Sequence, residues 1–186
     1  GDKQIDVLAW SLVKELVITY VNQLWVCDIT YIYTIDDKFC YLHLVTDAFS
    51  RMVIGYVLAP TLEAKYTIEA LQQAISHAGS GNLCGTIHHS DRGVQYCCDE
   101  YITLLKEHHI RISMTEDSNP TDNGMAERVN GIIKNEFLEP LQTPKNLLEA
   151  LPLVDHAVRT YNTLRPHLNL NMRTPAQVYE GKQIIL

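Results

Sequence analysis

No apolar run in these 186 residues reaches the roughly 18 that a membrane-spanning helix needs. No charged-then-apolar leader opens the chain, so nothing in it argues for secretion. Lysine and arginine never form a run, and neither repeats nor low-complexity stretches occur. That lack of a basic stripe, with a net charge of −7, counts against a protein that grips phosphates by charge alone. Cysteine is sparse and odd in number: Cys27, Cys40, Cys84, Cys97 and Cys98, with no C-x-x-C pair and no zinc-like spacing. Such a set reads as reduced, mostly buried thiols in a cytosolic protein. No initiator methionine precedes Gly1, and the chain therefore reads as a fragment with neighbouring domains cut away.

What is present suits one globular domain. Hydrophobic residues make up 46% and charged residues 20%, ordinary values for a domain with a real core. Residues 1–21 are poorly patterned, with a short helix expected around Leu8 to Leu16. From Leu24 the chain becomes rich in β-branched and aromatic residues, LWVCDITYIYT, and predicts a strand. Asp36-Asp37 turns it back into FCYLHLV, and MVIGYVLA after Ser50 makes a third strand of an antiparallel meander. Thr61 is placed to cap a helix over Ala64 to His77. A short strand over Leu83 to His88, a helix over Asp99 to His108 and a strand over Ile110 to Met114 follow. Thr115 to Asp122 reads as a mobile loop. Helices are then expected from Asn123, from Asn146 to Tyr161, and from Thr174-Pro175 to Gly181. The order predicts an α/β fold: a mixed five-stranded sheet, three strands of meander plus two more, covered by helices.

The chemistry gathers in Asn123 to Phe137. At 100° per residue, Met125, Val129, Ile132 and Ile133 share a core face. Glu127, Asn130, Gly131 and Lys134 share the other, with room beside Gly131. Asp28 interrupts an otherwise apolar strand, where an unpaired carboxylate would cost several kcal/mol. It needs a cation, backbone N–H donors or a metal. Asp91 follows a short strand, where functional groups of α/β sheets collect, although a turn role before Gly93 is also open. The 35 residues between Asp91 and Glu127 hold one helix, one strand and one loop, enough to return the chain to the same sheet end. Three carboxylates without histidine or cysteine suit Mg²⁺ or Mn²⁺. Two such ions would clamp the attacking and leaving oxygens of a phosphodiester. They would also bring the charge to −3, and residues 144–186 carry five basic groups against three acidic ones.

WVCDITYI, HHSDRGVQY and NPTDNGMAERVNGIIKNEF resemble the catalytic core of integrase-type DDE transposases, which includes bacterial insertion-sequence enzymes and retroviral integrases. YNTLRPHLNLNMRTPAQVYEG resembles the tail of the insertion-sequence branch. The likeness covers residues 22–181, leaving 1–21 as a lead-in and 182–186 as a tail. It implies an RNase H-like fold with Asp28, Asp91 and Glu127 as catalytic residues and ligands of two Mg²⁺ or Mn²⁺ ions. The implied activity is phosphodiester hydrolysis and transfer of DNA 3′ ends into target DNA, by a homodimer or larger multimer in the bacterial cytoplasm, at the nucleoid. Lys134 would meet DNA phosphate, with Asn130 and Arg128 as weaker candidates. Asp47 reads as a turn residue, His89 as a hydrogen-bonded structural histidine, and Arg165 and His167 as organisers of the C-terminal turn. No zinc module or helix-turn-helix is readable in residues 1–21, so end recognition would need a missing N-terminal domain or a partner protein. An RNase H-like nuclease, a catalytically silent DNA-bridging or dimerisation core, and a tyrosine recombinase are the alternatives. The last has no Arg-x-x-His-type cluster near a candidate tyrosine.

Overall fold

The computed structural model describes residues 6–79, 81, 83–116 and 120–181. The 182–186 tail and residues 117–119 of the expected mobile loop lie outside the described residues. The meander forms as its β-branched runs require: β2 (Leu24–Thr34), β3 (Lys38–Asp47) and β4 (Val53–Ala59) pair antiparallel. Lys38 turns the first hairpin in the left-handed region, at φ 65°. β5 (Ile87–Ser90) pairs parallel with β2, and β6 (Arg111–Met114) parallel with β5. The five expected strands are therefore present. A sixth, β1 (Val7–Leu8), lies parallel on the β6 edge, giving the order β1-β6-β5-β2-β3-β4. The fifth strand starts later than its apolar run suggests, because Gly85 (φ 90°) turns the chain and the Thr86 hydroxyl donates to Asn22 O.

Side chains alternate across β2 with period two, and this sorts the core into two layers. Trp25 and Cys27 face α2 (Ala64–Ala78) and α4 (Asp99–Glu107), packing with Leu71, Ala74, Tyr101 and Leu105. Leu24, Val26 and Ile32 face the other way, toward α5 (Gly124–Ile132) and α6 (Leu147–Thr163). Asp28 lies between Val26 and Ile32 in this second set. Close contact between β4 and α2 depends on Gly55: a Cβ there would land on the carbonyl oxygen of Ala70. The helix starts without a side-chain cap, since Glu63 and not Thr61 stands at the N-cap; the Thr61 hydroxyl donates to the Glu63 carboxylate and accepts from its N–H.

The lead-in helix expected around Leu8 to Leu16 forms as the shorter α1 (Trp10–Lys14). Two further elements differ from expectation. α3 (Val94–Cys97) precedes α4. Beyond Ile132, α5 continues as a π-helical turn over Ile133–Leu138. The tail motif turns out to be structural. Asn162 brackets the Val53 backbone, accepting from its N–H and donating to its carbonyl, each at 2.9 Å. Tyr161 donates to Arg51 O, and Arg165 grips Glu136 through two bonds of 2.6 and 2.7 Å. Thr174 and Gln177 form a capping box at the start of α7 (Pro175–Tyr179). Only Cys27 and Cys40 are buried. Cys84 is exposed and the adjacent pair half-buried, which corrects the expectation of mostly buried thiols, and all five are free.

Candidate active site

The sheet register places the two aspartates. Leu24, Trp25 and Val26 of β2 pair in parallel with Ile87, His88 and His89 of β5. Carried two residues further, the same register sets Asp28 opposite Asp91, just past the end of β5. Alternation turns Asp28 toward the α5 side with Val26, and Asp91, beyond the strand, lies near enough for its charge to act on Asp28.

The third carboxylate arrives on α5, whose Ala126 packs with Leu24 and Val26 and whose Val129 packs in the layer of Ile32. Two amides on this helix, at i and i+7 with Glu127 between, clamp it to β2. Asn123 Nδ2 donates to Cys27 O at 2.9 Å, and Asn130 Nδ2 donates to Asp28 Oδ2 at 2.7 Å. Glu127 itself is exposed. A Cβ built on Gly131 would meet nothing within 4 Å, so the space expected beside Glu127 is there.

Asp28 carries the electrostatic signature of the site. Burial raises its carboxyl to about 7, the Ile29 N–H pulls it down, and the charges of Asp91 and Glu127 raise it again, against the Asn130 bond. Among the described residues no lysine or arginine pairs with it. Burial without a cation is the state in which a divalent ion gains most from the site. The three acids feel one another but do not form a closed ligand set: among the described residues no three His, Cys, Asp or Glu groups converge tightly enough to hold a metal. Asp91 Oδ1 is turned aside, accepting from Gly93 N–H at 2.8 Å. A Cβ on Gly93 would come within 2.9 Å of that oxygen, so glycine permits the fold-back. The oxygen-only donor set fits Mg²⁺ or Mn²⁺, and Asp91 would have to turn inward to complete it.

The other candidates separate. Asn130, expected as a possible DNA contact, is 6% exposed with its amide engaged by Asp28. Arg128 is exposed, and Arg51, which sequence reasoning passed over, lies close enough for the two guanidinium groups to repel. Lys134 lies beyond the α-to-π transition and lines a pocket at the edge of β2. Asp47, expected in a turn, is the fully buried last residue of β3, and its side chain holds the turn that follows, accepting from Asn22 N, Ser50 N and the Ser50 hydroxyl. His89 Nε2 faces Asp122 O at 2.8 Å and so must carry its proton; Nδ1 then accepts from Ser113. The Trp10 ring stacks on His89 at 4.1 Å, a contact from the lead-in segment that no local pattern announces.

Similarity to known proteins follows the same outline. Sequence models of the family described as "Integrase core domain" match residues 19–120 and 108–175. The chain is 37% identical over 122 residues to a protein of insertion sequence element IS986/IS6110 from Mycobacterium tuberculosis (strain ATCC 25618 / H37Rv) named as a transposase, covering 64% of this chain and 44% of that one. It is 31% identical over 164 residues to the transposase of insertion sequence element IS629 from Shigella sonnei, covering 88% and 54%. The chain thus spans about half the length of these relatives. Among solved structures, the HTLV-2 integrase catalytic core domain in complex with magnesium, in its dimeric form, aligns with a TM-score of 0.66 at 27% identity, covering 86% of this chain and 97% of that one. The simian T-cell lymphotropic virus intasome aligns with a TM-score of 0.72 at 21% identity over 100% of this chain and 63% of that one, a likeness of fold. The sheet order, the helices on both faces and these neighbours agree on the expected RNase H-like architecture, and the chain belongs to the integrase core domain family.

Proposed function

We propose that this chain is the catalytic core of a bacterial insertion-sequence transposase, with Asp28, Asp91 and Glu127 as its catalytic carboxylates. The observation that carries the reading is Asp28: a half-buried carboxyl without a cationic partner, held by Asn130 and raised to about 7 by burial and by the other two acids. The three residues would hold two Mg²⁺ or Mn²⁺ ions, which when bound activate the attacking oxygen and stabilise the leaving one.

The chain's own groups supply position. Asn130 fixes the Asp28 carboxylate, and Asn123 fixes the start of α5 against β2. Open space beside Gly131 admits the DNA backbone, with Lys134 and Arg128 to meet phosphates. In the reaction a water or a DNA 3′-hydroxyl attacks phosphorus and displaces a 3′-oxygen. One phosphodiester is exchanged for another in the joining step, so no oxidant or nucleotide is consumed. On this reading the chain acts at the bacterial nucleoid, in a homodimer or larger multimer, and the dimeric form of the HTLV-2 integrase core supports the assembly. Recognition of element ends falls to a further domain or a partner protein.

The test is incubation of the chain with a labelled duplex ending in a recessed 3′-hydroxyl, a supercoiled target and MnCl₂. Label joined to target by the wild type, and lost in Asp28→Asn, is the expected result. Metal-dependent nicking without joining would instead indicate a nuclease. Neither product, with DNA still bound, would indicate a silent bridging core.

A further inference from the structure

The β2–β3 hairpin carries a cluster of aromatic rings that the catalytic reading leaves unused. Tyr31 pairs across strands with Tyr41, and Tyr33 with Phe39, so alternation puts all four on one face. Their rings meet edge to face at 5.4 to 5.9 Å. Tyr31, Tyr33 and Phe39 remain 52%, 55% and 48% exposed, an unusual arrangement for large rings with no function. β5 pairs with β2 only through Val26, so this far half of β2 has an open edge. A pocket of about 500 Å³ lies along that edge, within the range of small-molecule sites. Tyr31, Tyr33, Phe39, Leu138 and Leu141 line it, with Lys134 and Glu139 as its charged groups.

Its position links it to the candidate active site. Tyr31 is three residues from Asp28, about 10 Å along a strand. Alternation puts it on the other face of β2, so a DNA strand would reach the rings from the carboxylates round the open edge where the pocket lies. Lys134 is seven residues from Glu127, also about 10 Å along a helix. Lys134 makes no salt bridge among the described residues, leaving its ammonium for a phosphate. A chain of net charge −7 cannot hold a strand by counterion release alone. Stacking on aromatic rings does not depend on net charge. We propose that this pocket takes an unpaired nucleobase of the DNA strand crossing the active site, stacked on the Tyr31, Tyr33 and Phe39 cluster, with Lys134 on the adjoining phosphate. This rests on the transposase reading for the identity of the strand.

The experiment uses the full chain in EDTA, with a duplex bearing a three-nucleotide overhang that contains 2-aminopurine, and the matching blunt duplex. Quenching of the base on binding is expected for the wild type and for Tyr33→Phe, which keeps the ring. Tyr33→Ala and Phe39→Ala should lose the quenching and bind the overhang roughly 5- to 150-fold more weakly, with blunt-duplex affinity and melting temperature unchanged. Equal quenching and affinity in the alanine variants would overturn the proposal. So would a change of DNA-free sedimentation in Tyr33→Ala without a change in DNA binding, which would assign the rings to a second copy of the chain. Because no metal is present, the outcome does not require the carboxylates to close on an ion. Failure of strand joining with quenching intact refutes the catalytic reading alone.

Discussion

Replacing Asp28 by asparagine should make the metal-free protein more stable, by an amount that grows with pH. A carboxyl that ordinarily titrates at 3.8 and is raised to about 7 in the fold binds its proton more tightly when folded than when unfolded. Its favourable contribution is complete below pH 3.8 and is lost as the pH rises through about 7. The full loss is on the order of 4 kcal/mol at 1.4 kcal/mol per tenfold change in proton affinity. The amide in Asp28→Asn removes the charge, and its oxygen can still accept from Asn130. About half or more of the loss should therefore be recovered at pH 8, roughly 2–4 kcal/mol. For a chain of this size that is a rise in Tm of about 5–15 °C, shrinking toward zero near pH 4.

The same substitution should abolish the response to metal. An ion that binds only the folded wild type stabilises it by RT ln(1 + [L]/Kd), about 2.7 kcal/mol at a hundredfold excess over Kd. Thermal melts from pH 4 to pH 8, with and without MnCl₂, read both effects at once. A variant that melts at or below the wild type at pH 8, or a difference that ignores pH, would refute the claim that Asp28 is an unpaired charge in the field of Asp91 and Glu127. A wild type that does not respond to millimolar metal at pH 8 would show that the three acids do not close on an ion.

Asn130→Ala removes the donor that orients Asp28 and should weaken Mn²⁺ binding about 10- to 100-fold, measured by calorimetry, while the chain stays folded. Gly55→Ala drives a methyl group into the Ala70 carbonyl across the β4–α2 contact and should cost about 1–3 kcal/mol, read from a urea melt. Arg165→Ala breaks a bidentate but partly exposed pair with Glu136, so the loss should stay below about 1 kcal/mol and shrink in high salt. Because Arg165 holds Glu136 below the ordinary glutamate range, that contribution should also fade as the pH falls through that range.

Sequence patterning exposed the site more readily than its surroundings. Asp28 stood out because an acid in an apolar strand has a cost that something must offset. The helical wheel grouped Glu127 with Asn130, and both act on Asp28, one by charge and the other by a hydrogen bond. It could not show that this face rests on β2, so a side chain read as facing DNA is sealed against Asp28 instead. Cap chemistry succeeded at Thr174, where the capping box is local, and failed at Thr61, because the helix begins two residues later with Glu63 at the N-cap. The stacking of Trp10 on His89 and the pairing of β1 with β6 join residues about 80 to 105 positions apart. No window of a dozen residues contains such contacts. The π-helical turn after Ile132 likewise has no short-range signal in its residues.

The three acids are not held with equal firmness, and this bears on how such a site could work. Asp28 is held within β2, paired with Leu44 of β3 and bonded to Asn130, whereas Asp91 lies just past the end of β5, beyond the last β2–β5 pair at Val26 and His89. Glu127 depends on where α5 sits. Beyond its apolar packing, that position rests on Asn123 to Cys27 O, Asn130 to Asp28, and His89 to Asp122 O. Each bond joins the helix or its leading turn to the strands that carry the aspartates. If the carboxylates close on metal, Asp28 on β2 supplies the fixed point, Asp91 turns in from its bond to Gly93 N–H, and the amide clamps on α5 set the distance left for Glu127. Trp10 then matters to the chemistry without touching it: by packing on His89 it holds the histidine that anchors the turn leading into α5.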